Sequence, residues 1–99
     1  MATSALEYLL SNYFHQDLFD EHGSVEGAIS AFALKDPHRA VHVPNEIEQL
    51  LSSRPQERDV ASFVEATGCE YDPRSIEGGF RPWLQEVQRQ INAALARQN

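Results

Sequence analysis

Apolar positions in this chain recur every three to four residues in short runs, separated by glycine, proline and acidic stretches. That is the pattern of several short amphipathic helices. Leu6, Leu9, Leu10 and Tyr13 stand at i, i+3, i+4 and i+7, and Ser4 with Glu7 has capping-box spacing, so a helix is expected over 5–13. The period is lost from Phe14 to Gly23, where Asp17, Asp20 and Glu21 accumulate; this stretch reads as an ordered connection with Phe14, Leu18 and Phe19 turned inward. Ser24 can cap a second helix with Val25, Ala28, Ile29 and Phe32 on one face, Glu26 in its first turn and an end near Lys35.

Asp36-Pro37 is a start signal, because proline fixes a helical φ and lacks an N–H that the first turn would leave unpaired. Pro44 then removes a hydrogen bond and crowds the preceding turn, so 37–52 is expected as two pieces or one kinked helix, with Val43, Ile47, Leu50 and Leu51 buried. Ser53 and Gln56 repeat the capping-box spacing ahead of Val60, Phe63, Val64 and Thr67, which predicts a helix over 55–67 ended by Gly68. Beyond Asp72-Pro73 and Gly78-Gly79, Pro82 opens a last helix lined by Trp83, Leu84, Val87, Ile91 and Leu95. No strand pattern is present. The expected fold is all-α, a compact single-domain bundle of about five short helices spanning 1–99.

Composition supports folding: 41% of the 99 residues are hydrophobic, too many for a wholly disordered chain. Charge narrows the partners. Fifteen carboxylates against eight Lys and Arg give a net charge of −7, and no Lys or Arg precedes Lys35. Such a surface repels phosphate backbones and anionic lipid and speeds encounter with a basic protein, although charge of this size also serves solubility alone. The arginines are spread singly, without the clustering that tracks nucleic acid. Cys69 is the single cysteine, which suits a reducing compartment. The start Met1-Ala2-Thr3-Ser4 has no basic leader, and the apolar clusters are too short for a signal or a membrane span, so a cytoplasmic protein is expected.

His15, Asp17, Asp20 and His22 form the one cluster with metal-ligand chemistry, but no pair has the spacing of a known zinc motif. The structural reading, in which His15 and Gln16 bond loop backbone and the aspartates face water, is preferred, and no metal or cofactor is assigned. Cys69 after a helix-ending glycine reads as a buried thiol. Glu46/Glu48 and Glu70/Asp72 read as solvated faces of an acidic protein. Trp83 reads as a core anchor, and Tyr13, Phe14 and Tyr71 likewise. No catalytic residue is identified.

Four segments follow one another in a recognisable order: Tyr13-Phe14-His15-Gln16-Asp17, Gly23-Ser24 with Ala28 and Phe32, Gly68-Cys69-Glu70-Tyr71, and Trp83-Leu84. In this order they resemble the immunity proteins of bacterial contact-dependent growth inhibition systems. The chain departs from that pattern at Leu18, where an aromatic residue is common, and at Pro44, which interrupts a helix. The resemblance implies a non-enzymatic protein, a monomer when unbound, that forms a one-to-one complex with the C-terminal toxin domain of a large surface-displayed effector inside the producing cell. Many such toxins are nucleases. The acidic residues Asp17, Asp20 and Glu21 are the candidate contacts, joined by Glu70 and Asp72 if the two loops share one end of the bundle, while His15 and Gln16 hold the first loop in shape. Two alternatives remain: an acidic helical adaptor for another basic protein, and a small metal-dependent hydrolase built on His15, Asp17 and His22.

Overall fold

Local caps decide where the first helices begin. The computed structural model describes residues 4–14, 23–69 and 78–97. Helix α1 (Ala5–Tyr13) starts where Ser4 Oγ accepts the Glu7 N–H at 3.1 Å, and α2 (Val25–Lys35) where Ser24 Oγ accepts the Gly27 N–H at 3.0 Å. Both satisfy donors that a helix N-terminus leaves without an internal partner. Asp36 ends α2 and caps α3 (Pro37–Ala40), its carboxylate accepting the Arg39 N–H at 3.3 Å.

Pro44 divides the third helical region instead of kinking it. A proline ring at 44 crowds the carbonyl four residues earlier, and the chain answers with a turn at Val41-His42 before α4 (Val43–Ser53). Pro44 thereby falls in the first turn of a new helix, where proline is tolerated. The cap expected at Ser53 does not form. Ser53 is the last residue of α4 and its hydroxyl donates to the Leu50 carbonyl at 3.2 Å, so α5 (Glu57–Ala66) begins later than 55 and has Gln56 as an N-cap without a side-chain bond. Gly68, at φ +92°, takes the left-handed conformation that follows a helix end. The last helix, α6 (Phe80–Arg97), starts two residues ahead of Pro82.

Among the described residues there is no strand. Helix α6 packs most extensively against α2 and α4, while α1 lies on α4 and α2. The apolar stripes meet in one core: Leu6, Leu9 and Leu10 from α1, Ile29 and Phe32 from α2, Ile47 from α4, Val60 and Val64 from α5, and Leu84 and Ile91 from α6. Each fully buried Leu, Ile or Phe contributes on the order of 1.5–3 kcal/mol. No helix among the described residues is long and apolar enough to cross a membrane.

Candidate functional site

The candidate acidic contacts Asp17, Asp20, Glu21, Glu70 and Asp72, with His15, Gln16 and Tyr71, lie outside the described residues, as does the proposed inward packing of Leu18 and Phe19. Their anchoring points lie within them. The first acidic segment leaves the described chain after Phe14 and returns at Gly23; the second leaves after Cys69 and returns at Gly78.

These anchors are fixed by aromatic packing. Phe14 is fully buried and meets Trp83 edge-to-face, with ring centroids 5.1 Å apart. Trp83 belongs to the first turn of α6, just after the glycine pair that ends the second segment, and Phe80 stands edge-on to it at 6.3 Å. Ser24 and Trp83 border the same surface depression. Phe14, Ser24 and the Gly79–Trp83 turn therefore share one end of the bundle. One residue back from Phe14, the half-buried Tyr13 packs edge-to-face on Phe32 at 5.4 Å. Burial raises the Tyr13 phenol above its ordinary value, reinforced by the neighbouring Tyr8 and Asp36. Cys69 packs half-buried against the core.

The second segment's return point is held by a clasp. Helix α6 has no local cap, and the carboxylate of Glu57 supplies one from α5: Oε2 accepts the Phe80 N–H at 2.6 Å and Oε1 the Arg81 N–H at 2.9 Å. A negative group at a helix N-terminus satisfies orphan donors and complements the dipole. The carboxylate fits only because residue 79 is glycine. Gly79 has φ +130°, and a β-carbon there would stand 3.0 Å from Glu57 Oε2. Arg81 completes the clasp, donating to the carbonyls of Leu51, within the end of α4, at 3.2 Å and of Arg54, just beyond it, at 2.6 Å. One junction thus ties the end of α4, the start of α5 and the start of α6.

Glu46 does for α1 what Glu57 does for α6. Its carboxylate accepts the Ala5 N–H at 3.3 Å and the Leu6 N–H at 2.9 Å. Reading Glu46 as a solvated surface charge is therefore corrected: it is half-buried and structural, whereas Glu48 is exposed. Neither long-range cap was visible in the sequence. One signal existed for the second: the segment Gly78-Gly79-Phe80-Arg81 offers no Ser, Thr, Asp or Asn to cap the helix that follows, so a remote acceptor is required.

At the opposite end of α2 from Ser24, Arg39 stacks over the Tyr8 ring at 4.0 Å and pairs with Asp36. The hydrogen bond from Arg39 holds the Asp36 carboxyl below the usual carboxylate range. Among the described residues, no group of His, Cys, Asp and Glu could hold a metal ion. The geometry offers an aromatic platform beside the points where the first acidic segment leaves and rejoins the described chain and where the second rejoins it, and no arranged nucleophile or acid–base pair among the described residues.

Comparison with known proteins completes the description. A family profile described as CdiI immunity protein matches residues 2–91. The match takes in α1 through α5, both acidic segments and α6 as far as Ile91. No curated protein and no solved structure matches the chain.

Proposed function

The chain belongs to the CdiI immunity protein family, and from that premise we propose that it binds the C-terminal toxin domain of its cognate contact-dependent growth inhibition effector in the cytoplasm and blocks it. The family match over residues 2–91 carries this reading. The protein acts by binding, as a one-to-one complex, and performs no chemistry of its own. The toxin is proposed to be a nuclease. Such an enzyme needs a basic groove for phosphates, and a protein of net charge −7 competes for that groove or its rim.

The proposed contacts are Asp17, Asp20 and Glu21, with Glu70 and Asp72 as a second patch. The first patch is supported at this end, because Phe14, Ser24 and the Gly79–Trp83 turn lie together at one end of the bundle; the second segment rejoins the described chain there. The first test is co-expression with the toxin domain encoded beside this chain, scoring growth and co-purification. Rescue with a stable complex is expected. Continued toxicity without a complex would remove the immunity reading and favour the acidic adaptor. Charge reversal at Asp17, Asp20 and Glu21 together is expected to abolish protection; full protection by that variant would remove these contacts and leave the function standing.

A further inference from the structure

Eight residues, 15–22, separate Phe14 from Gly23, and among them are Asp17, Asp20 and Glu21. Both ends of that segment meet the same side chain. Where the chain departs, the fully buried Phe14 ring stands edge-on to Trp83 at 5.1 Å and 86°. Where it returns, Gly23 takes φ +77°, and Ser24 caps α2 while bordering the depression that Trp83 also lines.

Trp83 is itself held in place. Its backbone N–H donates to the Gly79 carbonyl at 3.3 Å, Phe80 stands edge-on to its ring, and the turn that carries both is capped by the Glu57 carboxylate. At 1% exposure the indole offers no surface to a partner, so any influence it has on binding runs through the chain ends it touches. That influence is physical. Charged contacts on a segment whose ends wander must be ordered during binding, which subtracts from affinity, whereas a segment fixed at both ends is preorganised.

We infer that Trp83 is a positioning residue for toxin binding: its indole fixes the two chain ends between which Asp17, Asp20 and Glu21 lie, and so governs how well those carboxylates meet the toxin domain. The inference rests on the immunity reading and on that patch of contacts. Trp83→Phe separates this role from packing, because a ring still faces Phe14 while the second ring of the indole, and the reach it gives toward the Ser24 side, is lost.

Calorimetric titration of the full chain with the catalytically inactivated toxin domain tests this, at a temperature where circular dichroism shows each variant folded. Trp83→Phe is expected to weaken binding at least tenfold, whereas Ile47→Val, a core trim in α4, should leave affinity within twofold. Neutralising the patch with Asp17→Asn, Asp20→Asn and Glu21→Gln together should weaken binding at least thirtyfold in the unsubstituted chain and less than fivefold in the Trp83→Phe background. A purely structural role in a folded chain would leave those two effects equal. Should Trp83→Phe not fold, Phe14→Leu, which keeps an apolar side chain and removes the edge-to-face contact, decides in its place. Affinity within threefold of the unsubstituted chain, or equal effects of neutralisation in both backgrounds, overturns the positioning role and leaves the patch standing. Neutralisation without effect on the unsubstituted chain removes the patch and the positioning role together and leaves immunity standing. No binding by the unsubstituted chain overturns the immunity reading and this inference with it.

Discussion

Removing the Glu57 carboxylate should cost more than an ordinary half-buried glutamate, and the cost should depend on residue 79. Glu57 accepts two backbone N–H groups at the start of α6, and Phe80, which owns one of them, is 2% exposed, so water cannot readily replace the lost acceptor. Charge-assisted bonds contribute roughly 1.5–3 kcal/mol each, and allowing for partial solvation at Arg81, Glu57→Ala should lose about 2–3 kcal/mol. For a domain of this size that lowers Tm by roughly 10–20 °C. Gly79→Ala places an alanine at φ +130° and puts its β-carbon 3.0 Å from Glu57 Oε2. The backbone strain costs about 1–3 kcal/mol, and eviction of the carboxylate adds about 2 kcal/mol more from the lost cap. In the double variant the eviction term is already gone. The two single losses should therefore sum to about 2 kcal/mol more than the double loss, measured by urea unfolding followed at 222 nm. Additivity within about 0.5 kcal/mol, or a Glu57→Ala Tm within a few degrees of the unsubstituted chain, would refute the clasp. Glu48→Ala, at an exposed position, is the control and should change stability by less than about 0.5 kcal/mol.

Glu46→Ala should lose about 1–2 kcal/mol through the Ala5 and Leu6 N–H groups, and amide exchange at those two residues should quicken selectively. Trp83→Ala should cost about 3–5 kcal/mol as a large core deletion, whereas Trp83→Phe, read by thermal melting, should cost much less because a ring still faces Phe14. Asp36 and Glu86 have carboxyls lowered in the fold by Arg39 and by Arg89 with Gln90. Unfolded Asp and Glu titrate near ~3.9 and ~4.3, so this stabilisation is present above those values and is lost as pH falls through the lower folded ones. Melting between about pH 2 and pH 7 should show Asp36→Asn with a shallower acid limb than the unsubstituted chain; parallel limbs would contradict the Arg39–Asp36 pairing.

Helix positions were legible in the sequence because each helix announces itself locally. The stripes Leu6, Leu9, Leu10 and Val43, Ile47, Leu50, Leu51 are set by a period of 3.6 residues, and Ser4, Ser24, Asp36 and Gly68 act on neighbours a few residues away. The family was legible too, because the order Tyr13-Phe14, Gly23-Ser24, Gly68-Cys69 and Trp83-Leu84 runs along the chain. Ser53 shows the limit of local signals: its capping-box spacing was present, yet its hydroxyl serves the helix it ends. Which residues close the structure was decided elsewhere. Glu46 reaches Leu6 across 40 positions and Glu57 reaches Phe80 across 23, and nothing in the spacing of either glutamate distinguishes it from Glu48 on a solvated face. Local chemistry acts over one helical turn and can be read from order and spacing; remote caps and aromatic pairs depend on which helices the shared core brings together, and only the tertiary structure decides that.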